Sequence, residues 1–205
     1  MTVISRRVVT PYPGKWDNAI ERLRVGAGAL ERAGGDTLLM RITYGHMAGS
    51  IALFGIFSDF VAATAASEKL AEDPEMQKLL RQRQEDPAGS FMGPDVLRIV
   101  YGAADKKPVM MVRTYQVNRE NLEAAVGILS KVDGLAKKEN AGTVTGIIPM
   151  ISDNMDRLNV VYGFDNRAHL GHAVNTVGMS KEFQELVAEA NTKGKLVSAR
   201  VQEAI

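Results

Sequence analysis

The chain has 205 residues, 45% hydrophobic and 24% charged, with a net charge of +1, an ordinary balance for a globular protein with room for one large or two small cores. Basic and acidic residues nearly cancel in each half, 12 against 13 in 1–105 and 13 against 11 in 106–205, so no nucleic-acid partner is expected. The absence of cysteine excludes disulfides and thiolate chemistry and suits the cytoplasm, while no apolar run approaches the ~20 residues that cross a bilayer, so no membrane association is expected.

Met1–Arg7 lacks the apolar stretch of a signal peptide. A strand is predicted over Val3–Thr10, followed by a break at Pro11-Tyr12-Pro13-Gly14. Trp16, Ala19, Ile20, Leu23, Ala27 and Leu30 then recur at helical spacing, and Gly34-Gly35 ends that helix. Strands over Thr37–Tyr44 and Ile51–Phe57 flank a glycine-containing turn, the pattern of a hairpin. Ser58-Asp59 can cap a second helix, which Pro74 restarts and which runs to about Arg83. The stretch Gln84–Asp95, with Phe91-Met92 at its tip, is read as an extra loop, either a lid or an interface arm, with the arm favoured. A strand over Val96–Tyr101 follows.

From Val109 the order repeats. A strand over Val109–Val117, a helix opened by Asn118, strands over Thr143–Ile151 and Leu158–Phe164, a helix capped by Asp165 and a strand near Leu196–Val201 are predicted. Sliding the chain by 107 residues lays Phe57-Ser58-Asp59 over Phe164-Asp165-Asn166 and Glu75–Leu80 over Glu182–Val187, and Trp16-Asp17 meets Leu122-Glu123 at an offset of 106. Each copy reads β-α-β-β-α-β, the ferredoxin-like unit. The expectation is an α+β chain of two tandem ferredoxin-like modules, 1–105 and 106–205. Leu38-Leu39-Met40, Ile51-Ala52-Leu53-Phe54 and Val160-Val161-Tyr162 are apolar on both faces. Such strands need helices on one side and a second sheet on the other, because an uncovered face would be a large apolar patch.

Tyr162–Ala168 followed by His172 and Lys181-Glu182-Phe183 resembles the antibiotic biosynthesis monooxygenase group of dimeric α/β barrels, a superfamily that includes NIPSNAP-like tandem proteins. The resemblance implies two sheets joined face to face as a barrel. It implies a small cofactor-independent monooxygenase-like or isomerase-like enzyme acting on an apolar small molecule, or alternatively a non-catalytic ligand-binding or assembly module. No cofactor is expected, and a homodimer is, since closed two-fold dimers are the commonest assembly.

The resemblance places His172 near a pocket, as an acid or base, with Ala65 at the matching position of the first copy. His169 joins it as a binding residue, matched by Ala62. Tyr115 and Tyr162 lie on strands that could line the barrel interior and orient a ligand, although ordinary packing is the favoured reading of strand tyrosines. The site is thereby assigned to the second copy. Asp165, His169 and His172 share a helix face at i, i+4 and i+7, which could hold iron or zinc. Asp165 sits where a cap belongs, however, so no metal is expected. His46 in the hairpin turn is read as solvated and Trp16 as core. Arg6-Arg7 is read as a solvated strand edge, with anion binding as the alternative.

Overall fold

The computed structural model describes residues 1–205. In chain order the elements are β1 (Val3–Pro11), α1 (Trp16–Arg32), β2 (Asp36–Gly45), β3 (Ile51–Phe57), α2 (Phe60–Glu72), α3 (Pro74–Glu85) and β4 (Gly89–Tyr101). There follow β5 (Val109–Val117), α4 (Leu122–Lys138), β6 (Thr143–Ile151), β7 (Arg157–Phe164), α5 (Arg167–Ala173), α6 (Lys181–Asn191) and β8 (Gly194–Ala204). All neighbouring strands are antiparallel. They close into one barrel in the order β1-β3-β2-β8-β5-β7-β6-β4.

That order explains why the strands are apolar on both faces. Along β3, Ile51, Leu53 and Phe57 pack under the helices, while Ala52, Phe54 and Ile56 alternate into the lumen, as the two-residue period of a strand requires. The helices form two outer layers. Those from the first half cover Leu39, Leu53 and Phe57, and those from the second cover Tyr115, Leu158 and Val160. The second sheet demanded by the sequence is supplied within the chain. β8 pairs with β2, and β4 with β6, so each half's last strand closes the barrel against the other half.

Local chemistry sets the element ends. Asp59 accepts from the Ala62 N–H at 2.8 Å, and Asp73 from the Met76 N–H at 2.9 Å, with Pro74 in the first turn of α3. Asn118 leads into α4 through a short 3₁₀ turn, Arg119–Asn121. The cap of α5 is corrected: Asn166, not Asp165, accepts from the His169 N–H, at 2.8 Å. Asp165 lies one residue outside the helix end and pairs with Lys107 instead.

The extra-loop reading of Gln84–Asp95 is also corrected. From Gly89 the chain is already strand, with Phe91 opposite Val9 and Met92 opposite Val8 on β1. A bulge follows, where Gly93 has φ +95° and a Cβ would stand 2.5 Å from the Arg6 carbonyl oxygen, so only glycine fits. Because β4 runs the whole length of β1, β1 has a neighbour on each side and Arg6-Arg7 is no solvated edge. Arg6 faces the lumen, where Asp95 accepts from its Nη2 at 2.6 Å and its Nε at 3.1 Å. Arg7, one residue on, faces the helices.

Candidate functional site

The largest cavity beneath a helical layer lies in the first half. It encloses about 500 Å³ between α1, α3 and the sheet, with Leu23, Leu30, Leu53, Leu79 and Phe91 among its walls and Arg7 on its floor. Two local features keep it open. On α1, Gly26 presents no side chain where a Cβ would stand 3.6 Å from Leu53 and 3.8 Å from Leu79. On the other wall, α3 has no fully buried residue, so it lies against the cleft without filling it.

The corresponding space in the second half is only about 30 Å³. The strand register shows why. Val9 pairs with Ile51 as Tyr115 pairs with Leu158, and Gly55 with Ser5 as Tyr162 with Met111. At equivalent positions the first half therefore has Val9 and Gly55 where the second has Tyr115 and Tyr162. The repeat register adds Met76 against Phe183. Three aromatic rings fill the second layer; in the first, Val9 and Met76 border the cleft without filling it, while Leu30 and Phe57 take up the space over Gly55.

Arginine occupies the same strand position in both halves, Arg7 and Arg113. Arg113 lies 5.7 Å from the centre of the Phe183 ring. Arg7 has no ring above it, and Ser5 Oγ accepts from its Nη1 at 2.8 Å. Burial lowers the Arg7 pKa, meaning the cation is poorly solvated and would gain from an anionic neighbour. At the rim, Arg22 is held by Asp86, and the Arg83 guanidinium lies over Phe91. No histidine or carboxylate lines the cleft.

The residues singled out from the sequence do not converge. Tyr115 and Tyr162 point to the helix side rather than the lumen, because both fall on the helix-facing parity of their strands. Tyr115 is 7% exposed, and burial, then the neighbouring Tyr115, raises the Tyr162 phenol above its ordinary pKa. His172 is exposed on α5, and only its backbone carbonyl is engaged, by Thr176 Oγ1. His169 is half-buried, 2.9 Å by Nε2 from the Asn140 carbonyl and edge-on to Phe164. Its Nδ1 lies 3.3 Å from Asp165, while His172 stands apart, so the three make no common ligand set. His46 is exposed at the barrel mouth, and Trp16 packs on the first-half core under Arg41. Arg7 enters the sequence reading only as half of Arg6-Arg7, with anion binding as the alternative; the hollow around it is signalled by Val9 against Tyr115 and Met76 against Phe183 in the repeat register.

No family model matches the chain, and no curated protein matches it. Solved structures do. A candidate monooxygenase from Fusobacterium nucleatum subsp. nucleatum superposes with a TM-score of 0.66 at 8% identity, covering 99% of this chain and 92% of the other. An anthrone oxidase-like protein gives 0.65 at 10% identity, covering 100% and 91%. A ferredoxin-fold protein related to antibiotic biosynthesis monooxygenases, from Listeria monocytogenes, gives 0.54 at 10% identity, covering 100% and 95%. The chain has the fold of the antibiotic biosynthesis monooxygenase-like α/β barrels. At these identities the likeness concerns the fold, and the chemistry has to be read from this chain's own residues. No helix is long and apolar enough to cross a membrane.

Proposed function

We propose that this chain is a small monooxygenase-like enzyme that takes an apolar small molecule into the first-half cleft and holds an ionisable oxygen of it on Arg7. The cleft carries the reading: about 500 Å³, mostly apolar in its walls, with one under-solvated cation on the floor. A pocket of that size and lining suits a small organic molecule. A fixed cation in low dielectric favours the enolate or phenolate form of a bound ligand, and that form is the one easily oxidised. Neighbours described as a candidate monooxygenase and as anthrone oxidase-like give the same direction.

The test is aerobic incubation with anthrone, a flat apolar ketone that enolises. Oxygen uptake and the absorbance of the quinone are expected with the wild type, and a loss of at least tenfold with Arg7→Met. Uptake unchanged in Arg7→Met would refute the assignment. A second reading, a non-catalytic carrier, has its own observation, since the cleft holds no general base. Anthrone bound without oxygen uptake is the outcome that reading expects.

A further inference from the structure

The lumen of the barrel is a separate space from the cleft, and its charges do not balance. In the register of β1 with β4, Arg6 stands opposite Asp95. In the matching register of β5 with β8, Val112 stands opposite Arg200. The repeat thus puts an arginine where its counterpart has the aspartate, and a valine where its counterpart has the arginine. Two guanidinium groups share this level of the lumen with one carboxylate; Asp105, which borders the lumen at its far end, makes no bond to either arginine and acts on Lys107. Asp95 is committed to Arg6 by two hydrogen bonds.

Arg200 is left over. Its Nε is shut off from solvent and has no hydrogen-bond partner. Burial, then repulsion from Arg6, lowers its pKa to about 10, so it remains a cation at neutral pH. A buried charge without a counter-ion is costly, and such groups are ordinarily paired. The other buried side-chain atom without a partner, Gln202 Oε1, is an acceptor and offers nothing to an anion.

Space for a partner adjoins it. Arg200 borders a cavity of about 600 Å³ that opens between the β2–β3 turn, at His46 and Met47, and the β6–β7 turn, at Ser152–Asn154. One wall is apolar, formed by Val8, Ile42 and Ala52. Opposite stand Thr114 and Asn159, joined by a 2.9 Å bond that uses the Asn159 carbonyl oxygen and leaves its amide hydrogens for a ligand. The carboxylates in this cavity are Asp95, already paired, and Asp153 at the mouth. Arg157, also at the mouth, is paired with Asp156.

We propose that the barrel lumen is a second binding site, selective for an organic monocarboxylate whose carboxylate pairs with Arg200 and whose apolar body lies along Val8, Ile42 and Ala52. An apolar wall beside one unmatched cation selects a molecule with both features. The site does not depend on Arg7 or on the cleft beneath α1 and α3.

Calorimetric titration with 4-phenylbutyrate tests it, with 4-phenylbutanol as the uncharged control. Saturable binding of the acid, at least tenfold tighter than the alcohol, is expected. Arg200→Met should abolish that preference and Arg200→Lys keep part of it, whereas Arg7→Met should leave it unchanged. Asp95→Asn, which frees Arg6, should tighten acid binding severalfold. In the unaltered protein the Arg200 Nε–H resonance should shift on titration with the acid, a readout that needs no variant. Acid and alcohol binding alike, no saturable binding at millimolar acid, or binding lost in Arg7→Met and kept in Arg200→Met would each overturn the proposal.

Discussion

The guanidinium of Arg83 lies 3.9 Å from the centre of the Phe91 ring. This contact ties α3, which has no fully buried residue, to the first segment of β4. Phe91→Ala removes the ring and with it part of the wall of the cleft. The expected cost is about 2 kcal/mol, below the usual figure for a fully buried phenylalanine because this one is half-buried. Denaturant unfolding gives the number. Hydrogen exchange should show the loss of protection concentrated in α3.

Arg200→Met should make the protein more stable. It exchanges an unmatched buried cation for an apolar side chain of similar length, and gains on the order of 1–3 kcal/mol are typical when buried charge is replaced by apolar bulk. A melting temperature below that of the wild type would show that Arg200 has a counter-ion within the chain.

His172→Ala should be silent, within about 0.5 kcal/mol, because the side chain is exposed and makes no bond. His169→Ala should cost about 1–2 kcal/mol, since it removes the bond to Asn140 and the edge contact with Phe164. Both are read from chemical denaturation. The sequence casts His172 as the acid or base and His169 as a binding residue, whereas their surroundings make His169 the better anchored of the two.

Acid should destabilise the fold through identifiable carboxylates. Hydrogen bonds from Arg167, the Met76 N–H and Lys15 hold Glu203, Asp73 and Asp86, respectively, below their ordinary values. A carboxylate whose folded-state pKa is depressed stabilises the fold above its unfolded pKa, and that contribution disappears as pH falls through the folded value. Stability should therefore be level from neutrality to about pH 5 and fall below about pH 4. Glu203→Gln should make the acid decline shallower in a series of thermal melts.

Residues 1–105 expressed alone should self-associate. Separated from the second half, β2 and β4 lose their outer partners β8 and β6, and the lumen faces of all four strands are uncovered. Light scattering should give twice the fragment mass. A well-folded monomer would show that the half covers its own sheet.

Much of the fold was legible because it rests on periodicity. Ile51–Phe57, Val109–Val117 and Thr143–Ile151 are strands with the bounds their patterns predict, and two-faced apolar strands called for a second sheet. β4 was read short because Gly93-Pro94 interrupts its pattern, yet a bulge lets the pairing resume on both sides. The cleft is hard to see in the sequence for another reason: histidines and tyrosines such as His172, Tyr115 and Tyr162 announce chemistry by their type, whereas the hollow arises from absent bulk at Gly26, Val9 and Met76. Strand parity, set by pairing across the barrel, decided that Arg6 and Arg7 look into different cavities.

The segment joining the halves breaks the symmetry of the lumen. Ala103, Ala104 and Asp105 lie against the lumen at the end away from the hairpin turns, and Thr145 Oγ1 donates to the Ala103 carbonyl at 2.9 Å to fasten them. Two separate chains forming the same barrel would leave a tube with equivalent surroundings on both sides of its axis. Threading one chain through both halves lays this linker along the lumen from one side only, so that equivalence is broken at that end. A molecule in the lumen therefore meets a different rim on each side of the axis, and the pseudo-symmetry of the two halves does not extend to what they enclose.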